Sequence, residues 1–237
     1  MSINLEKRAE KVTIVLEKRK LKAIPPVRVG LVVDTSGSAR GLFQSGTMQE
    51  TVDRLLAVAM KFDDNGELDM WHFNSAFASL KTAVKDDYGS YVNGSIMSRR
   101  DLWGGTVYSD VMQAVVDNYF PAVKAPVARG LLGGLFGKKE AATTAAAELP
   151  AMCFFITDGQ CGSNERATEA VLRAAQDKNV YWNMVGVGDA REFKFLVKMA
   201  DALPNVGFVN LNSLSITDEQ IYEELISEEF CEWVKKF

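Results

Sequence analysis

Five short apolar runs punctuate this sequence, at 27–33, 68–73, 152–157, 180–187 and 206–211. They are too short for buried helices and are rich in Val, Ile, Phe, Tyr and Trp, the pattern of strands covered on both faces. Between them, Met48, Val52, Leu55, Leu56 and Ala59 recur at helical spacing, as do Ala167, Val171, Leu172 and Ala175, and then Phe193, Leu196, Val197 and Ala200. Strands that alternate with helices require parallel crossovers. The spacing therefore predicts an α/β fold: an open, mostly parallel, doubly wound sheet with helices on both faces.

Helix ends are marked locally. Thr47 with Glu50, and Thr217 with Gln220, have the spacing of a capping box. Ser163 or Asn164 is the expected cap of the helix that carries Leu172. The last helical pattern opens at Thr217 and runs through Ile221, Leu225 and Ile226, with Phe230, Trp233 and Val234 further on.

At 237 residues and 47% hydrophobic content the chain can bury one large core without metal or disulfide staples. Residues 1–24 read as a charged helical arm, with seven Lys or Arg against three Glu, ended by Pro25 and Pro26. Residues 25–237 read as a single domain, in which about 121–150 form a low-complexity insertion. Disorder is the first expectation for part of that insertion. Its Gly137-Lys138 pair lacks the other residues of a phosphate-binding loop, and Leu131, Leu132, Leu135 and Phe136 could line one apolar helix face. Beyond 217 the charge inverts to acidic, so the two ends of the chain could pair.

A formal net charge of -4 argues against a nucleic-acid partner. Charges interrupt every apolar stretch of the N-terminal segment, so neither a signal peptide nor a stable membrane insertion is expected. Cys153, Cys161 and Cys231 fit neither a disulfide framework nor a zinc cage, which points to a reducing, cytoplasmic setting.

Chemistry concentrates where strands end. The run at 27–33 leads into Asp34-Thr35-Ser36-Gly37-Ser38, and the run at 152–157 leads into Asp158-Gly159. Gly104-Gly105-Thr106 adds a hydroxyl on a glycine loop before a helix expected at about 109–119. If the two strands are neighbours, Asp34, Ser36, Ser38, Thr106 and Asp158 converge as an all-oxygen set. Such a set suits Mg²⁺, with Mn²⁺ or Ca²⁺ as alternatives, and does not suit zinc. His72, the single histidine, falls inside a strand and reads as structural.

These three segments resemble the metal-ion-dependent adhesion site of von Willebrand factor A (VWA) domains, with all five ligand positions present and in order. The resemblance implies a six-stranded sheet with a short edge strand near 77–80. It also implies direct ligation by Ser36 and Ser38, ligation by Thr106 directly or through water, and Asp34 and Asp158 acting largely through water. An acidic residue from a protein partner would complete the coordination, and the domain would bind rather than catalyse. The stretch KVTIVLEKRKL before the first strand and WHFN after the second resemble the TerF-like group of such domains, found among bacterial tellurium-resistance and stress-response proteins. That likeness implies a role in tellurite or chemical stress.

Two other readings compete. Asp34 could act as a phosphoryl-accepting nucleophile beside Mg²⁺, although the haloacid-dehalogenase-like pattern wants an Asp where Ser36 stands. Alternatively the site is vestigial and the chain is a scaffold. Trp103, with Tyr108 close by, is a candidate recognition aromatic.

Overall fold

A computed structural model describes residues 3–21, 24–63, 65–121, 149–211 and 216–237. Both expectations for the insertion, disorder and an apolar docking stripe, fall within 122–148 and so lie outside the described residues. Six strands form one sheet in the order β3-β2-β1-β4-β5-β6. They are β1 (Arg28–Asp34), β2 (Asp69–Phe73), β3 (Phe77–Ser79), β4 (Ala151–Thr157), β5 (Val180–Val187) and β6 (Val206–Leu211). All neighbours pair in parallel except β3, which runs antiparallel to β2 at the edge.

Because side chains alternate along a strand, the sheet feeds two cores. One holds Val29, Leu31, Val33, Phe154 and Val185 against α1 (Ile3–Lys18), α3 (Thr47–Phe62), α7 (Asp218–Leu225) and α8 (Glu228–Val234). The other holds Val32, Trp71, Phe155 and Trp182 against α4 (Ser109–Tyr119), α5 (Glu165–Ala174) and α6 (Lys194–Ala202). A short α2 (Arg40–Gln44) precedes α3. Gly186 in β5 is required by the second core, since a Cβ there would stand 2.7 Å from the buried Phe193 ring. Gly186→Ala should therefore cost about 1–3 kcal/mol through overpacking. Urea denaturation that left stability unchanged would show that the ring can move aside.

The N-terminal segment is not a free arm in this structure. Leu5, Ala9, Val12, Val15 and Leu16 are buried in the first core. The opposite charges of the two ends do pair. Arg8 contacts Glu50 and lies 3.3 Å from Asp218, Lys11 lies 3.1 Å from Glu219, and Arg19 lies 3.2 Å from Glu228. Arg54 joins Asp218 at 2.9 Å. Burial alone would raise the Asp218 carboxyl, but the Arg54 hydrogen bond and the charges of Arg8, Arg54 and Lys11 hold it below its usual range.

Three local expectations need correction. The Thr47–Glu50 capping box does not form: left-handed Gly46 is the N-cap, and Glu50 turns to Arg8 and Arg54. Asn164 is the N-cap residue of α5, yet its side-chain oxygen accepts from the backbone N–H of Ser109 at 2.9 Å, where α4 begins. The last helical pattern is two helices. The Thr217–Gln220 box opens α7, and Ser227 caps α8 by accepting from the N–H of Phe230 at 3.2 Å.

Candidate metal-ion site at the carboxyl edge of the sheet

β1 and β4 are adjacent parallel strands, with Val33 opposite Ile156. From β1 the chain builds outward to β2 and β3 on one side and to β4, β5 and β6 on the other, so the β1/β4 junction is the switch point of the sheet. Ligands of open α/β sheets bind outside the carboxyl ends of the strands at such a point. Asp34 closes β1 there, and Asp158 follows the end of β4.

Asp34 is 1% exposed. Its Oδ1 accepts from the N–H of Ser36 at 2.7 Å and its Oδ2 accepts from the Thr157 hydroxyl at 2.6 Å. Ser36 and Ser38 hydroxyl oxygens are 3.1 Å apart, and Ser38 donates to Asp158 Oδ1 at 2.9 Å. Four of the five residues singled out in the sequence are thus linked in one chain of contacts. Thr106, the fifth, lies half-buried on the adjoining loop, and its hydroxyl makes no hydrogen bond among the described residues. That loop is tied to the first one: Ser36 forms a β-bridge with Gly104, and the N–H of Gly37 donates to Gly104 O at 3.0 Å.

Burial pushes the Asp34 carboxyl from 3.8 up to about 6, against the hydrogen bonds that favour its charge, and nearby Asp158 adds to the rise. Asp158 is also raised, chiefly by burial. Neither carboxylate forms an ion pair with Lys, Arg or His among the described residues. Among those residues no group of three or more His, Cys, Asp or Glu is placed to hold a metal ion, so a cation here would draw on hydroxyls as well as acids. The donor set fits that role: hard oxygens only, two of them on carboxylates that no basic side chain pairs with among the described residues.

Several supporting residues carry no pattern in the sequence. Asn74 donates through Nδ2 to Asp101 O at 2.7 Å, and its own carbonyl accepts from the N–H of Val107 at 2.9 Å. Ser75 Oγ accepts from the N–H of Gly105 at 2.7 Å. A Cβ at Gly104 would lie 2.9 Å from Asn74 Oδ1, which explains glycine at that position. Trp103 takes a left-handed backbone, φ 71°, and its N–H donates to Thr35 O at 2.7 Å. Its ring stands edge-on to Phe43, with the Arg40 guanidinium 5.0 Å from its centroid. Tyr108, by contrast, is fully buried and donates to Gly159 O at 2.5 Å, so it supports the second loop from below and is no surface aromatic. His72 is 1% exposed, with Nδ1 3.0 Å from the Thr35 hydroxyl. Burial and the Arg99 charge push its pKa down.

An open sheet with this strand order, covered on both faces and carrying two acidic loops at its switch point, has the architecture of a VWA domain. More narrowly, the chain belongs to the vWA-TerF-like family, described as the vWA found in the TerF C terminus, which matches residues 26–128 and 138–237. It is 33% identical over 242 residues to the uncharacterized protein YcbR of Bacillus subtilis (strain 168), covering 99% of this chain and 87% of that protein. Among solved structures it resembles a von Willebrand factor type A protein from Catenulispora acidiphila, with TM-score 0.57 and 14% identity, over 88% of this chain and 42% of that one. It also resembles proximal thread matrix protein 1 of the mussel byssus with a zinc-occupied MIDAS motif, with TM-score 0.54 and 13% identity, over 88% of this chain and 46% of that one. The chain thus spans less than half the length of these two solved proteins, and the likeness to them is one of fold.

Proposed function

We propose that this domain is a metal-dependent protein-binding module. A divalent cation, Mg²⁺ by the preference of hard oxygen donors, is held by Ser36, Ser38 and Thr106, with Asp34 and Asp158 facing it largely through water. The cation supplies an electrophilic position that a carboxylate from a protein partner fills. The chain's own residues prepare that position: the N–H of Ser36 and the hydroxyl of Thr157 fix the Asp34 carboxylate, and Ser38 is already turned to Asp158. The observation that carries the reading is the pair of carboxylates gathered at the switch point with the Ser36 and Ser38 hydroxyls, held with raised proton affinity and with no ion pair to a basic side chain among the described residues.

Membership of the TerF-like family supports a place in bacterial tellurite or chemical stress response. Three free, buried cysteines fit a cytoplasmic protein, and among the described residues no helix is long and apolar enough to cross a membrane. A phosphoryl-transfer role for Asp34 is disfavoured by its burial and by the engagement of both its oxygens.

Thermal and chemical denaturation with and without Mg²⁺, Mn²⁺ or Ca²⁺ tests the proposal. A metal at a hundredfold excess over its Kd should add about 2.7 kcal/mol to the stability of the native protein. Asp158→Ala should abolish that response while leaving the fold intact, because the residue sits half-buried on a loop. No stabilisation by any of the three ions would leave the scaffold reading instead. Recovery of partners from lysate should fail in the presence of a chelator.

A further inference from the structure

The two edges of the sheet are built differently. β3 is three residues long, whereas β6 is six residues, VGFVNL, with no charged residue and no proline. Sheet edges are ordinarily blunted by brevity, by charge, by proline or by a cover. The first device protects β3. Nothing among the described residues protects β6.

Its backbone is also free on the outer side. Asn205 and Leu211 carbonyls accept from the N–H groups of Trp182 and Gly188, so the odd positions of β6 face β5. By alternation the N–H and C=O groups of Phe208 and Asn210 face away from the sheet. Among the described residues no backbone bond reaches them. On that side the N–H of Val206 is used within the chain, donating to Leu203 O at 3.1 Å.

A hollow of about 220 Å³ lies along this edge. It is lined by Phe208, from the core under α6, and by Gly207 and Asn183, from the sheet face under α7 and α8. A hollow lined by consecutive residues of one strand, which point to opposite faces, straddles its edge. Gly207 on its rim is held small by its neighbour: a Cβ there would lie 2.5 Å from the buried Tyr181 hydroxyl. Asp201, Glu224 and Glu229 stand exposed around the hollow, and none forms an ion pair among the described residues.

We propose that β6 accepts an extended segment of a basic protein partner as a seventh strand, with a Lys or Arg side chain of that segment reaching the acid-rimmed hollow. Strand addition supplies main-chain hydrogen bonds, and the alternate side-chain pocket supplies selectivity. Charge sets the class of partner. A second copy of this chain would bring the same three acids against each other, on a molecule whose net charge is already -4. The site is separate from the switch-point loops and needs no metal.

The test uses the full chain and a fluorescein-labelled peptide of alternating valine and threonine with one central lysine. Two control peptides replace the lysine by glutamate, or carry N-methyl groups on alternate amides. Fluorescence anisotropy should show binding of the lysine peptide and at least about tenfold weaker binding of both controls, with chelator making no difference. The double variant Asp201→Lys/Glu224→Lys, at two exposed positions and checked by circular dichroism, should lose the lysine peptide and gain the glutamate one. Hydrogen exchange should show new protection at Phe208 and Asn210. Equal binding of the N-methylated peptide would overturn strand addition, and equal binding of the glutamate peptide would overturn the charge assignment. No binding of any peptide, or a dimer on gel filtration that excludes them, would overturn the proposal as a whole.

Discussion

Deleting residues 1–21 should abolish cooperative folding. α1 sends Leu5, Val12, Val15 and Leu16 into the first core, each at most 3% exposed. Burial of such side chains is worth about 1.5–3 kcal/mol each, so four of them contribute on the order of 6–12 kcal/mol. A domain has only about 5–15 kcal/mol of net stability to lose. The deletion also removes Arg8 and Lys11, leaving buried Asp53 without one of its basic neighbours and Asp218 with Arg54 in place of three. Urea titration followed by circular dichroism should show a sloping signal in place of a transition. A sharp transition shifted by less than about 2 kcal/mol would mean that the helix is an appendage to an otherwise complete fold.

The second large effect has the opposite sign. Asp34→Asn should stabilise the metal-free protein above pH 6. The carboxyl has a higher proton affinity folded than unfolded, with a pKa of about 6 against 3.8, so the folded state binds the extra proton between those values. Stability of the metal-free native protein therefore falls as pH rises through that window and stays low above it. At about 1.4 kcal/mol per pKa unit the penalty is on the order of 3 kcal/mol. Asparagine removes it and keeps the contacts: its oxygen accepts from Ser36, and its amide donates to the Thr157 hydroxyl, which turns to Gly159 O at 3.3 Å. Urea denaturation at about pH 8 and pH 4 should show the variant more stable at the first and equal at the second, with no response to Mg²⁺ at either. A variant weaker at both would mean that the charge is already compensated in the metal-free fold.

What the sequence disclosed, and what it withheld, divides along physical lines. The strands at 180–187 and 206–211 were readable to the residue because each is a short run, apolar but for Asn183 and Asn210, too short for a buried helix. Asp34, Ser36 and Ser38 were readable as a group because their short spacing survives folding as proximity, and Asp158 joins them because β1 and β4 pair in parallel and so end at the same edge. The tethers that position the glycine loop were not readable. Asn74 and Ser75 act on backbone groups of residues 101–107, and nothing in their own neighbourhood marks that task.

Local rules failed where a remote partner offered more. Glu50 has the spacing to cap its own helix but meets Arg8, 42 positions away. The break between α7 and α8 has the same origin. Asn183 donates to Leu225 O at 2.5 Å and Arg19 to Ile226 O at 3.1 Å, so the carbonyls that a continuing helix would have used are satisfied from elsewhere.

The stitching of Trp103 to Thr35 and of Gly37 to Gly104 holds the two loops together in the protein alone. Under the binding role proposed above, a visitor to this edge meets loops already tied to each other, and less disorder remains to be frozen out. Encounter is then governed by diffusion and approach angle, which differ little between similar visitors. Discrimination among them falls on residence time.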